Sequence, residues 1–177
     1  MKVLNACIGL MSRVALMACL LFCLTQCGYQ LGGIKPPELA NVETFKVDLF
    51  ENNSLEPRAG VLVTSALAEA IQRDGTFKTS SKKSPDIRIE GTVRSISFQQ
   101  LRSSREDTYE STELGLRVSV SYKVVRSCDK KVLMQSQVEE TVPYYNISNN
   151  VQTARTNALS YAARRIADRI AENLTNG

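Results

Sequence analysis

The side chains that could do chemistry are few, and their types exclude more than they allow. The chain has no histidine, which removes the Ser-His and Cys-His nucleophilic pairs at once. Cysteines 7, 19 and 23 lie in the first 26 residues, leaving Cys27 and Cys128. Zinc sites draw mainly on Cys and His, so no metal is expected, and the two thiols give no disulfide framework. Glu139 and Glu140 form a carboxylate pair, but neighbours on a strand point to opposite faces and do not converge on one bond. Glu106, Asp107 and Glu110 lack the spaced ligand loop and glycine of a calcium site. There is no G-x-S-x-G elbow and no glycine-rich phosphate loop. No cofactor and no enzymatic activity are expected. What remains is binding chemistry. Arg102 and Arg105 sit beside three carboxylates, and Arg117 and Lys123 alternate with Ser119 and Ser121. Cations in such settings either take an anionic ligand or pair with neighbouring acids on a solvated face, and the residues alone favour neither.

The elements that must position these residues begin after an unusual start. Lys2 and Arg13 precede an uncharged apolar run over 14–24. A cationic start and a run of that length have the shape of a secretory signal, and the run is too short to span a bilayer. Residues 1–26 are read as a signal peptide and 27–41 as a tether, extended through Gly32-Gly33 and Pro36-Pro37. Residues 42–177 form one domain, large enough to bury most of its apolar surface. The formal charge of +4 does not argue for nucleic acid as a partner.

Within the domain, 42–50 reads as a first strand, with Val47 and Leu49 inward and Lys46 and Asp48 outward. Asn52-Asn53-Ser54 is a turn. Pro57 suits the start of a helix whose stripe is Leu62, Val63, Ala66, Leu67, Ala70 and Ile71; Arg73 and Gly75 end it. A short extended piece over 76–79 precedes a long strand, 86–99. There Ile87, Ile89 and Val93 share one phase and Ile96 and Phe98 the other, so a bulge is expected at Arg94-Ser95. A polar loop over 100–111 leads into a strand over 112–126, where Leu114, Leu116, Val118, Val120, Tyr122 and Val124 alternate with polar residues. A turn at Cys128-Asp129-Lys130 starts a fourth strand, 131–142, with Val132, Met134 and Val138 inward. A loop over 143–150 precedes a closing helix with Ala158, Leu159, Ala162, Ala163, Ile166, Ile170 and Leu174 on its core side. This order predicts an α+β two-layer sandwich: a four-stranded, largely antiparallel or mixed sheet with both helices packed on one face. The other face collects Arg88, Glu90, Arg117, Ser119, Ser121, Lys123, Gln135 and Gln137. It is polar and mildly basic.

Two resemblances add to this reading. Leu24-Thr25-Gln26-Cys27 resembles the lipobox of bacterial lipoproteins, although Gln26 stands where a small residue is usual. The likeness implies that the Cys27 thiol carries diacylglycerol and that the chain is cut just before it. Cys27-Gly28-Tyr29-Gln30-Leu31 then resembles the start of the LptE family of lipopolysaccharide-assembly lipoproteins. The likeness continues through Glu56-Pro57-Arg58, the helix over 67–71 and Arg73-Asp74-Gly75. It implies a lipid-anchored protein on the periplasmic side of the outer membrane, seated as a plug in an LptD-like β-barrel and receiving lipopolysaccharide. The same likeness assigns the 100–111 loop to the barrel lumen. Arg102, Arg105, Arg117 and Lys123 are then the candidates for lipopolysaccharide phosphates, which arginine can hold bidentately. The alternative is another outer-membrane lipoprotein, such as a peptidoglycan-synthase activator or a secretion-pore subunit.

Overall fold

The structure is a computed structural model that describes residues 35–80, 84–102, 113–145 and 151–175. After a 3-10 turn at Pro37–Leu39 come β1 (Thr44–Val47), β2 (Glu51–Asn52), α1 (Ala59–Asp74), β3 (Lys78–Thr79), β4 (Ile87–Arg102), β5 (Glu113–Arg126), β6 (Val132–Tyr145) and α2 (Val151–Thr175). The sheet runs β3-β1-β4-β5-β6, with β2 alongside β4 off that path. β1 and β2 lie parallel to β4, while β4, β5 and β6 form an antiparallel meander. This is the expected α+β sandwich with a mixed sheet. Among the described residues it has six strands rather than four, because Glu51–Asn52, just past the expected first strand and running into its expected turn, pairs as β2, and the piece after α1 pairs as β3.

The alternation on β5 sorts its residues as expected. Leu116, Val118, Val120, Tyr122 and Val124 are all buried in the single core. Across from them β4 carries the anticipated bulge. Val93 stands opposite Val120 and Ser95 opposite Ser119, so Arg94 has no partner on β5. The extra residue brings Ile96 opposite Val118, and both phases of β4 end on the helix side.

A second irregularity was not anticipated. Val47 stands opposite Ile89, but Glu51 stands opposite Thr92. The chain from β1 to β2 therefore contains one more residue than the stretch of β4 it follows, and its side-chain phase flips. Leu49, expected inward, is 69% exposed, whereas Phe50 is 2% exposed. The Phe50 ring occupies the space where a Cβ on Gly91 would stand. Its N–H donates to Thr64 Oγ1 (3.0 Å), and that hydroxyl donates to the Gly60 carbonyl (2.7 Å).

α1 starts at Ala59, with Pro57 in the turn before it rather than in the helix. The Asn52 side chain organises that turn: its amide donates to the Glu56 carbonyl (2.8 Å) and its oxygen accepts from the Ser54 N–H (3.0 Å). Gly75 ends the helix at φ 80°, in the left-handed region that glycine adopts without strain. β6 runs three residues past the expected end, burying Val142 and Tyr144. Pro143, which has no N–H to donate, is tolerated there because β6 is an edge strand among the described residues. Val132, expected inward, is exposed, because a register shift opposite Val124 and Val125 turns its side chain out; Leu133 and Met134 pack on the core instead.

α2 buries Ala158, Leu159, Ala162, Ala163, Ile166, Ile170 and Leu174 as its stripe predicts. Glu139 and Glu140 do point to opposite faces. Glu140 faces the helices, its side chain only 11% exposed, with Arg169 at 3.2 Å and Arg165 at 3.8 Å. Among the described residues no helix is long and apolar enough to cross a membrane.

Candidate interaction surface

Four strands present the polar face away from the helices. Its charges are arranged in cross-strand pairs, the geometry in which opposite charges on a sheet meet. Arg88 directs both Nε (2.8 Å) and Nη2 (2.7 Å) at one oxygen of Asp48. Lys123 on β5 meets Glu90 on β4 at 3.0 Å. Arg117 on β5 meets Glu139 on β6 at 3.6 Å. Between these pairs the Gln137 amide donates to Ser119 Oγ at 3.0 Å, and Ser119 is buried. Asp48, Leu49, Arg88, Glu90, Lys123 and Gln135 line an open groove of about 440 Å³ on this face.

The four candidate cations therefore stand as follows. Arg117 and Lys123 are on the outer face, about half exposed, and each already holds a carboxylate. A phosphate would have to displace Glu139 or Glu90 to reach them. Arg102 lies at the end of β4, its backbone opposite Glu113. Arg105 lies outside the described residues, as do Cys27 and 103–111 of the expected loop. The structure thus brings Arg117 and Lys123 onto one face, in a surface that alternates positive and negative. Such a surface suits contact with a polar wall better than capture of a lone anion. Residue spacing did not disclose the partners Asp48, Glu90 and Glu139, because cross-strand pairs follow from register and not from nearness in sequence.

These are surface pairs, and half-exposed ion pairs contribute little to stability. Glu90→Gln together with Glu139→Gln should change the unfolding free energy by less than about 1 kcal/mol per pair, read by denaturant titration. A large loss would mean that the pairs carry the fold and not the surface.

The two ends of the long strands differ in chemistry. At the far end, Arg155 of α2 places its guanidinium 3.8 Å from the Phe98 ring centroid and reaches Glu56 at 3.1 Å. Phe98 in turn meets Tyr144 edge-on, 6.3 Å between centroids. Together these tie the start of α2 to β4, to β6 and to the turn before α1. At the near end, the β5–β6 turn carries the exposed free thiol of Cys128. There the Asp129 carboxyl is held below its ordinary range by the Lys131 N–H donated to it, aided by the Arg126 guanidinium beside it.

The family described as LptE, lipopolysaccharide-assembly, matches residues 42–174. No match is found among curated proteins. Solved structures with a similar fold include a Xanthomonas campestris protein, 11% identical with a TM-score of 0.54 over 82% of this chain and 91% of that one. A candidate lipoprotein of Caulobacter crescentus is 16% identical, with a TM-score of 0.52 over 73% of this chain and 86% of that one. PelC of Paraburkholderia phytofirmans, a dodecamer, is 15% identical, with a TM-score of 0.50 over 81% of this chain and 94% of that one. At such identities the likeness is one of fold alone.

Proposed function

The chain belongs to the LptE lipopolysaccharide-assembly family, and from that premise we propose that it is the lipid-anchored plug of an LptD-like outer-membrane barrel that exports lipopolysaccharide. The observation that carries this reading is the outer sheet face. A barrel lumen of this kind is polar, and a face of paired charges with half-exposed Arg117, Lys123 and Glu139 can exchange hydrogen bonds with such a wall without burying a lone charge. The family is not enzymatic, and the surface offers binding, not bond breaking. The full chain carrying a C-terminal tag, extracted in mild detergent, should recover a large β-barrel protein. Recovery of a peptidoglycan synthase, or of a ring of identical chains, would replace this reading by its rivals.

On the same reading residues 1–26 are removed, Cys27 carries the lipid on the periplasmic side, and the tether of 27–41 joins the domain of 42–177 through an end that packs on it, since Leu39 is buried in the core. Several acyl chains on one cysteine anchor stably, at about 0.8 kcal/mol per buried CH₂, where a single chain binds only marginally. The intact mass of the membrane form should begin at Cys27 with a lipid adduct, and Cys27→Ala should carry no adduct. An unmodified Cys27 in the membrane form would sink the anchor.

Arg102 and Arg105 are the proposed contacts to lipopolysaccharide phosphate, with Arg117 and Lys123 secondary because they are already paired. Arg102→Glu with Arg105→Glu should weaken lipopolysaccharide binding more than the alanine pair does, since attraction becomes repulsion. The difference should shrink at high salt. Equal losses for both pairs would mean that these arginines touch no phosphate.

A further inference from the structure

Strand β4 has two halves with different neighbours. Its first half, through Val93, is paired on both sides: β5 on one, β1 and then β2 on the other. β2 ends where Asn52 stands opposite Val93, and the last main-chain bond on that side runs from the Asn53 N–H to the Val93 carbonyl at 2.9 Å. From Ser95 to Arg102, β4 pairs with β5 alone among the described residues. Among the described residues that run is an open strand edge, roughly 26 Å long at about 3.3 Å per residue.

Open edges are normally blunted by lysine, proline, other charge or a covering element. The edge strand β6 follows that rule with Pro143, Glu139 and Glu140. Ser95-Ile96-Ser97-Phe98-Gln99 carries neither proline nor charge. Ile96 is half-buried and Phe98 is 38% exposed, both on the helix side, while the serines facing out are small. Arg94, the bulge residue, stands exposed where β2 stops and has no ion pair among the described residues. A bulge at the point where pairing ends re-aims a side chain, and here it sets a free cation at the mouth of the edge.

We propose that this edge receives an extended segment of the barrel partner by β-strand addition, seated in line with β2. Strand addition takes affinity from main-chain hydrogen bonds and specificity from alternate side chains. The segment would lay apolar side chains over Ile96 and Phe98, keep small or polar ones beside Ser95 and Ser97, and bring a carboxylate to Arg94. A second copy of this edge does not fit. Residues 94–102 contain two arginines and no acid, so self-pairing offers Arg94 no partner. The inference rests on the barrel-plug reading and adds the place and mode of contact.

The test is amide hydrogen exchange on the full lipidated chain, alone and co-purified with the barrel. The outward amides within 95–99 should slow by about tenfold or more in the complex, as gaining a hydrogen bond to a partner strand requires. Arg94→Glu alone, at an exposed residue, should cut barrel recovery by about tenfold, a decade of affinity, while the melting of the free chain stays put. Ile96→Lys with Arg94→Glu should cut it further, with the free chain still unfolding cooperatively at a lower midpoint because Ile96 packs partly on the core. Arg94→Lys should keep recovery. A barrel recovered in full by the Ile96→Lys, Arg94→Glu chain, with no slowing at 95–99, overturns the edge contact and leaves the plug reading intact. No barrel recovered by the wild-type chain overturns both. Slowing in the chain alone, together with a doubled mass, makes a second copy the occupant and overturns the proposal.

Discussion

Leu67→Asp should abolish the cooperative unfolding transition of the domain. Leu67 is 0% exposed, on the stripe by which α1 joins the common core with α2 and the sheet. An aspartate there would be a charge with no partner. Either it ionises without compensation or it takes up a proton, and both routes cost on the order of several kcal/mol. Total stability for a domain of this size is only about 5–15 kcal/mol, so a loss of that size removes most of it. The comparison that isolates the cause is Glu69→Ala, one turn-face away and exposed, which should change stability by less than about 0.5 kcal/mol. Circular dichroism through a thermal ramp reads both. A Leu67→Asp protein that melts like its parent would mean that the stripe does not face the core.

How far the fold could be read without coordinates depends on the range of the interaction that decides each feature. Local pattern decided β5, α1 and α2, where side-chain period separates the core side from the outer side, although Leu62, Ala66 and Leu114 are only partly buried and the outward Ser119 is buried. It also decided the β4 bulge, since the phase change at Arg94-Ser95 is written in the strand itself. Gly75 as the helix stop belongs to the same class. The failures share one cause. Whether Leu49 or Phe50 turns inward depends on a register against β4, some forty residues away in sequence, and no window around residue 49 contains that information. Strands as short as β2 and β3 exist only because β4 and β1 offer them an edge. The continuation of β6 through Pro143 depends on β6 lying at the sheet margin. The candidate surface followed the same division. Arg117 and Lys123 were legible as outward cations, whereas Glu139 and Glu90 as their partners required the pairing of three strands. Arg94 was legible as a bulge residue but not as the cation at the end of β2.

A non-local contact gives the second strong expectation, and its sign separates two accounts of Gly91. In an ordinary strand interior glycine is a cost, and a β-branched residue should improve matters. Gly91→Val would then stabilise. Here the Phe50 ring fills the space that a Cβ at position 91 would need, and the close atoms are ring carbons held between β2, α1 and β4. Overpacking of that kind costs about 1–3 kcal/mol, and more when the neighbour is pinned. Phe50→Ala removes the ring and leaves a void, at about 3–5 kcal/mol. The two changes act on one volume, so the double variant should be more stable than the sum of the singles allows, by up to about 3 kcal/mol of coupling. Denaturant titration of the four proteins measures this directly. The consequence reaches the surface as well. Phe50 fixes the flip that carries the chain from β1 to β2, and β2 ends at Val93 beside the open half of β4. Either single substitution should loosen β2 and raise amide exchange at Glu51 and Asn52, and the double should restore part of the protection. Additive losses, or a Gly91→Val protein more stable than the parent, would show that the ring does not occupy the glycine's space and that β2 is held by something else.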